Sequence, residues 1–227
     1  MRIRPVLLLA CMVVASAAAA APAPATGTAA APTAAGTASA ATATGLAAAA
    51  PATGAAAAPT FKSGVFDPPR QAPEFSLKGT DGQTLSLNRY QGKVVLLAFG
   101  YSSCTAVCPV TLHTFALAVR KLGPAAEGVQ VVYVTVDPER DTPARLKQFL
   151  ANFDPTFTGA TGTDKQLKQV LEDYGVSAKR IPYENSYVYD HSSFTYLLDR
   201  KGRIRSLMPY GHSADDFVND LNILLRE

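Results

Sequence analysis

The residues of this chain best suited to chemistry are two cysteines, Cys104 and Cys108, separated by three residues in the segment Gly-Tyr-Ser-Ser-Cys-Thr-Ala-Val-Cys-Pro. An apolar run at residues 93–99 predicts a buried strand before them, and apolar residues at helical spacing follow them. Two thiols at the junction of a strand and a helix can form a soft-metal site or a redox pair. Because nothing beside them completes a metal site, a third ligand has to come from elsewhere in the chain.

The best candidate for that third ligand is His191, in the segment Tyr-Asp-His-Ser-Ser. It lies between two predicted late strands, in a segment expected to run beside residues 101–106, the loop that carries Cys104 and is called the cysteine loop below. A histidine beside serines taken alone is more often a hydrogen-bonding loop residue, so its position in the chain carries the assignment. His113 falls on the polar side of the predicted helix and is expected to be solvated. His212 precedes a helix cap, where a capping or solvent role is expected.

The metal that such a set would bind follows from ligand chemistry. Cys108 precedes Pro109 and is predicted at the N-cap of the helix, with Cys104 in the loop before it. At that place the helix dipole would lower the pKa of the Cys108 thiol. Two thiolates and one imidazole suit Cu(I), Cu(II) in a tetragonal arrangement, or zinc as a competitor. A plain structural disulfide between the two cysteines is the alternative.

The elements that position these residues alternate between strands and helices. An Asp-Gly pair at residues 81–82 predicts a hairpin within residues 75–87, and a second buried strand is predicted at residues 129–136. Helix starts are predicted at Pro109, after Thr142, after Thr163 and after Ser213. A parallel βαβ core followed by a hairpin and a helix predicts an α/β, thioredoxin-like fold with a central mixed sheet flanked by helices and an N-terminal β-hairpin.

The first 60 residues are expected to lie outside that fold. Residues 1–21 have the layout of an export signal or membrane anchor, and Cys11 offers a lipid-acceptor alternative. Residues 22–60, almost only Ala, Pro, Thr and Gly, predict a disordered tether. Residues 61–227 then form one domain. The protein is therefore expected in the periplasm, with membrane association through its N-terminal segment.

The charge of the chain excludes one class of partner. It has 21 basic and 18 acidic residues, a formal net charge of +3, and two of the basic residues are Arg2 and Arg4 in the leader. The predicted domain is thus close to neutral, and nothing in it indicates binding to nucleic acid.

Three segments carry a family resemblance. In order and spacing, residues 100–109, residues 134–143 with the sequence Val-Thr-Val-Asp-Pro-Glu-Arg-Asp-Thr-Pro, and residues 190–192 resemble the Sco/SenC family of copper proteins for cytochrome c oxidase assembly. The similarity runs from about Pro73 to the C-terminus. The Asp-Pro-Glu-Arg-Asp segment resembles the family's turn between strand and helix, and we interpret it as structural, through capping and local charge pairing.

The resemblance implies a thioredoxin-like fold in which Cys104, Cys108 and His191 bind one copper ion. The copper would be delivered to the binuclear copper site of cytochrome c oxidase, through its copper-bearing subunit, or to another periplasmic copper protein. Family members often carry a histidine before the first cysteine and Pro-Asp between the two, where this chain has Ser103 and Thr-Ala. None of these is an expected ligand, but a missing local carboxylate is expected to shift affinity and redox behaviour.

The sequence leaves two functions from different classes open. The first is a metallochaperone, a binding protein rather than an enzyme. The second is a thiol-disulfide oxidoreductase that keeps the acceptor's cysteines reduced, with Cys104 and Cys108 as its redox pair. Thioredoxin-type reductases carry C-x-x-C and a cis-proline before the facing strand. Here the spacer has three residues and no proline lies between Tyr183 and Leu198, so the chaperone is favoured.

Overall fold

The structure, a computed structural model, describes residues 60–227. The predicted export signal or anchor at residues 1–21, with Cys11, lies outside the described residues, as does the predicted tether except for its last residue.

Within residues 60–227 the chain forms ten strands and four α-helices. The strands are β1 (Gly64–Gln71), β2 (Leu77–Gly79), β3 (Thr84–Leu85), β4 (Val94–Gly100), β5 (Val129–Thr135), β6 (Thr158–Thr161), β7 (Ala178–Tyr183), β8 (Ser186–His191), β9 (Phe194–Leu198) and β10 (Arg203–Pro209). The helices are α1 (Val107–Leu122), α2 (Pro143–Ala151), α3 (Asp164–Tyr174) and α4 (Ala214–Arg226), with short 3-10 helices at Leu87–Tyr90 and Gly123–Gly128.

Eight of the strands form one mixed sheet in the order β1-β10-β9-β4-β5-β6-β2-β3. The central strands β4, β5 and β6 are parallel, β9 runs antiparallel to β4, and β10 antiparallel to β9. The hairpin of β2 and β3 pairs Leu77 with Leu85. The predicted mixed sheet, its flanking helices and the N-terminal hairpin are therefore confirmed.

The core lies on both faces of β4, which explains its continuous apolar sequence. Val95, Leu97 and Phe99 pack in one buried cluster with residues of α3, whereas Val94, Leu96 and Ala98 pack in the other with residues of α1 and α4. Because both faces are buried, the end of β4 is a rigid platform for the cysteine loop that follows it.

The predicted N-caps of α2, α3 and α4 match the structure. Thr142 accepts a hydrogen bond from the Arg145 backbone, and Pro143 is the first residue of α2. The predicted capping box of Thr163 and Gln166 opens α3, and Ser213 caps α4. Each cap pairs a backbone N–H that the first helical turn leaves without a partner.

Three strands were not predicted. β1 contains two prolines and lacks regular alternation, yet it pairs with β10 at the edge of the sheet, where proline is tolerated. β6 is a short strand of small residues. β7 is mostly exposed, and it pairs with β8 in a separate two-stranded sheet that ends at His191. None of the helices within the described residues is long and apolar enough to cross a membrane.

Candidate metal centre

The structure brings the three predicted ligand residues together. Cys104 lies in the loop after β4, Cys108 in the first turn of α1, and His191 at the end of β8. Both cysteines are free thiols; Cys108 is buried, and Cys104 and His191 are partly exposed. Cys108 Sγ lies 3.6 Å from His191 Nε2. The sulfur and imidazole groups thus meet at one partly open position beside the sheet.

The start of α1 differs from the prediction. The helix begins at Val107 with Ala106 as its N-cap, so Cys108 is its second residue, and the prediction of Cys108 at the N-cap is wrong. Pro109 fits the third position because the N–H groups of the first turn have no helical partner to lose. The Cys108 backbone N–H instead donates to Cys104 Sγ at 3.5 Å. Cys104, from the preceding loop, therefore supplies the acceptor at this helix terminus.

The thiol with the lowered pKa is consequently Cys104 and not Cys108. A hydrogen bond from the Cys108 thiol is the main cause that lowers the pKa of Cys104 to about 3, and hydrogen bonds from the backbone of Cys108 and Ala106 lower it further. The same hydrogen bond to Cys104, together with burial, raises the pKa of Cys108. The prediction assigned the lowered value to the wrong cysteine. At neutral pH the pair holds one thiolate, on the more exposed sulfur, and one thiol.

The second ring nitrogen of His191 has a fixed partner. Its Nδ1 lies 3.0 Å from the backbone carbonyl oxygen of Ser192. A carbonyl oxygen only accepts, so Nδ1 carries the hydrogen and Nε2 keeps a free lone pair that can bind a metal ion. This arrangement is typical of histidines that bind metals. The other two histidines lie elsewhere: His113 is exposed on α1, and His212 lies 3.4 Å from Asp216 at the start of α4.

The turn after β5 fixes the start of the cysteine loop through Asp141, a fully buried carboxylate. It accepts hydrogen bonds from the Ser102 backbone N–H at 2.9 Å, from the Ser102 hydroxyl, and from the Thr135 hydroxyl at 2.6 Å. Arg145 reaches the hydroxyls of Ser102 and Ser103 at 2.8 and 3.0 Å. The predicted structural role of this turn therefore extends to the cysteine loop.

The same turn holds the hairpin that carries His191. The buried Asp137 forms an ion pair with Arg140 and accepts a hydrogen bond from the Tyr187 hydroxyl at 2.9 Å. Arg140 also donates to the Tyr187 carbonyl oxygen at 3.0 Å. The Tyr187 ring contacts two guanidinium groups, Arg140 at 3.8 Å and Arg180 at 3.5 Å from the ring centroid. We call Asp137, Arg140 and Tyr187 the hairpin clasp.

Sequence reasoning missed these longer connections. It identified the Asp-Pro-Glu-Arg-Asp segment but considered only local charge pairing within it. Two carboxylates in a turn that directly follows an apolar strand were a usable signal, because such a turn meets the end of the neighbouring parallel strand. Nothing in the local sequence indicated that Tyr187, 50 positions further along the chain, is the partner of Asp137.

The mixed sheet, with a thiol loop between β4 and α1, defines a thioredoxin-like protein, as predicted. The particular family is defined by sequence. The SCO1/SenC family model matches residues 66–226, and the chain belongs to this family.

Relatives from bacteria and animals match the same region. An SCO2-like protein of Rickettsia prowazekii is 37% identical over 132 residues, which is 57% of this chain and 64% of the relative. The mitochondrial SCO2 homolog of Bos taurus is 34% identical over 152 residues, 65% of this chain and 57% of the relative. The chain thus spans less than two thirds of the length of these relatives.

Solved structures share the fold. The copper-bound structure of ScoI from Bradyrhizobium japonicum is 34% identical, with a TM-score of 0.63 over 68% of this chain and 99% of that one. The solution structure of apo Sco1 from Thermus thermophilus is also 34% identical, with a TM-score of 0.67 over 74% of this chain and 99% of that one.

The donor set of this chain fits a soft or borderline metal ion. Sulfur and nitrogen ligands of a shared tetrahedral ion, with bonds of about 2.3 and 2.1 Å, lie about 3.6 Å apart. Cys108 Sγ and His191 Nε2 are separated by that distance. Within the described residues no three His, Cys, Asp or Glu side chains are arranged so that they could hold a metal ion as they stand. Binding therefore requires the side chains to adjust. Cys104 lies in a loop and is less buried than Cys108, so its sulfur can adjust more readily.

Proposed function

We propose that this protein is a copper metallochaperone. It binds one copper ion through Cys104, Cys108 and His191 and delivers that ion to the binuclear copper site of cytochrome c oxidase. The observation that carries the proposal is the meeting of two sulfurs and one imidazole in a SCO1/SenC fold, with Cys108 Sγ 3.6 Å from His191 Nε2. The copper-bound ScoI of Bradyrhizobium japonicum, a relative of similar fold, supports copper as the ion.

Each proposed ligand has a distinct role. Cys104 is already a thiolate at neutral pH, because the pKa of this thiol is lowered to about 3, and it presents an anionic sulfur to the incoming ion. Cys108 releases its proton as it binds, since only the thiolate is a strong metal ligand. His191 binds through neutral Nε2. Thiolate sulfur favours Cu(I), and the imidazole also allows Cu(II).

The proposed acceptor is a copper-bearing subunit of the oxidase. Another Sco protein of similar fold, BsSco, is a member of the Sco family of cytochrome c oxidase assembly proteins. Cys104 and His191 are both partly exposed, so an acceptor thiolate could replace these ligands one at a time without unfolding the site. We place this transfer in the periplasm, with the N-terminal segment holding the domain near the membrane.

Copper titration of the reduced full chain tests this proposal. We expect one ion per chain, and loss of most of the affinity in Cys104→Ala, Cys108→Ala and His191→Ala, because each removes one of three donors. His113→Ala and His212→Ala are the matched controls and should bind normally. Equal binding by His191→Ala and the parent protein would contradict the ligand assignment.

A thiol-disulfide oxidoreductase is the second candidate function. The half-exposed Cys104 thiolate beside the Cys108 thiol favours it. Cys104 would attack a substrate disulfide and release one substrate thiol. Cys108 would then attack the mixed disulfide, release the second thiol and leave a protein disulfide, so the two electrons lost by the protein thiols reduce the substrate disulfide to two thiols. Insulin reduction at the rate of an ordinary thioredoxin, undiminished in His191→Ala, would favour this function over the chaperone.

A further inference from the structure

A buried tyrosine beneath the metal centre has no role in the function proposed above. Tyr133 lies in β5, 1% exposed, with its ring in the core. Its hydroxyl has no hydrogen-bond partner of standard geometry within the described residues, whether nitrogen, oxygen or sulfur. A buried hydroxyl without a partner is destabilising, so phenylalanine would be the more stable residue if this hydroxyl made no interaction.

A sulfur that can accept a hydrogen bond, Cys108 Sγ, lies close to this hydroxyl, and a small adjustment of either side chain would bring the two into hydrogen-bond geometry. A Cβ atom added to Gly100, at the end of β4, would lie 2.8 Å from Cys108 Sγ and closer still to Tyr133 Oη. The hydroxyl and the sulfur therefore approach each other over the bare backbone of Gly100. The small cavity lined by Tyr133, Cys108 and His191 offers about 10 Å³, the lower limit for a single water. The sulfur is thus the better available partner.

We propose that Tyr133 is a positioning residue whose hydroxyl donates a hydrogen bond to Cys108 Sγ and stabilises the reduced thiol pair over its disulfide. A thiol, thiolate or metal-bound thiolate is a better acceptor than a disulfide sulfur, so oxidation leaves the hydroxyl without an equal partner. The bond also extends a chain, because Cys108 in turn donates to Cys104, and linked hydrogen bonds strengthen one another. This stabilisation is a property of the thiol pair and does not depend on whether the protein binds copper.

The redox equilibrium of the thiol pair tests this role. The full chain carrying Cys11→Ser is equilibrated in glutathione buffers, where the dithiol protein and glutathione disulfide give the protein disulfide and two molecules of glutathione. Tyr133→Phe keeps the ring and removes the hydroxyl. We expect it to raise the equilibrium constant for this oxidation about fivefold to tenfold, and tenfold corresponds to a potential about 30 mV more negative.

The matched control is Tyr196→Phe, which removes a buried hydroxyl that donates to the Tyr174 carbonyl oxygen, away from the sulfurs. We expect this variant to lower the melting temperature of both redox forms and to leave the potential unchanged. A potential in Tyr133→Phe equal to that of the parent protein, or an equal shift in both variants, would overturn the proposal.

The Cu(II) form gives a second readout. A hydrogen bond to a coordinated sulfur lowers the energy of its donor electrons, so Tyr133→Phe should move the sulfur-to-copper charge-transfer absorption to longer wavelength, and Tyr196→Phe should not. An unshifted band in Tyr133→Phe would contradict the hydrogen bond in the loaded state. Failure of all variants and the parent to bind copper would contradict the proposed function, while the glutathione measurement would still decide the role of Tyr133.

Discussion

Cys108 Sγ and His191 Nε2 lie 3.6 Å apart although the two residues are 83 positions apart in the chain. One is in the first turn of α1 and the other at the end of a small hairpin outside the main sheet. Neither element contacts the other through an extended apolar surface. Two links set their relative position: the two buried carboxylates of the turn after β5, and Tyr101, whose hydroxyl accepts from the Tyr189 backbone and whose ring packs on His191.

Replacing Asp141 by asparagine should destabilise the protein. Three donors, from Ser102 and Thr135, converge on this buried carboxylate, and the amide of asparagine would present its own donor to them. We expect a loss of about 3 kcal/mol in the free energy of unfolding, measured by urea denaturation. Glu172→Gln, at an exposed ion pair on α3, is the control and should stay within about 0.5 kcal/mol. A loss no larger than in this control would disprove the role given to Asp141.

The hairpin clasp should control the mobility of β7 and β8. Arg140→Ala leaves the carboxylate of Asp137 buried without its ion-pair partner, which costs about 3 kcal/mol. Amide hydrogen exchange in residues 178–191 should accelerate more than exchange in β4 and β5. Arg180→Ala removes the more exposed guanidinium on the other side of Tyr187 and should cost less than about 1 kcal/mol. Uniform acceleration across the domain in Arg140→Ala would argue against a local clasp.

Gly100 should be intolerant of a side chain. A Cβ there would displace Tyr133 Oη and Cys108 Sγ together, in a part of the core where the neighbouring cavity offers only about 10 Å³. Gly100→Ala is expected to lower the free energy of unfolding by about 2–3 kcal/mol and to weaken metal binding. Gly64→Ala in β1 is the control, because its Cβ would meet only the Leu207 carbonyl oxygen at 3.6 Å. Unfolding of both alanine variants at the same urea concentration would contradict the close approach of Tyr133 and Cys108 to Gly100.

The thiol pair should make stability depend on pH. The pKa of Cys104 falls to about 3 on folding from an unfolded value of about 8.5, whereas that of Cys108 rises. Between pH values of about 3 and about 8.5, the unfolded chain binds two protons at the two cysteines and the folded chain binds one. The contribution of the thiol pair to the free energy of unfolding therefore grows as pH rises through this range. Above about 8.5 the folded pair retains the extra proton, and the contribution declines.

The difference in unfolding free energy between the reduced protein and Cys104→Ser isolates this contribution, because the other titrating groups are common to both proteins. We expect the difference to increase from pH 4 to pH 8. Thiolate absorbance near 240 nm should correspond to about one thiolate per chain at pH 7. A difference that decreases over this range would mean that Cys104 does not hold the lowered pKa.

The sequence predicted the elements that depend on local signals. The buried strands β4 and β5, the caps of α2, α3 and α4, and the three ligand candidates all follow from apolar runs, capping residues and residue types. The start of α1 was misplaced because a proline suggests a first helical position, whereas the sulfur of Cys104 allows the helix to begin two residues earlier. The lowered pKa was assigned to the wrong cysteine for the same reason.

Other features depend on tertiary contacts that no local pattern contains. The exposed strand β7 is stabilised by pairing with β8 and by the clasp at Tyr187, not by its own sequence pattern. Tyr133 and Cys108 come close to each other because β4 and β5 are neighbours and Gly100 lies between the two side chains. Both features can be identified only from the three-dimensional structure.

X-ray absorption spectroscopy of the copper-loaded protein identifies the ligands, because it counts the atoms bound to the metal. For the reduced full chain carrying Cys11→Ser and one Cu(I) ion, we expect two sulfur atoms and one imidazole nitrogen. We also expect His191→Ala to lose the nitrogen and Cys104→Ala to lose one of the sulfurs. A copper environment of oxygen and nitrogen atoms alone, or one unchanged by both substitutions, would contradict binding through Cys104, Cys108 and His191.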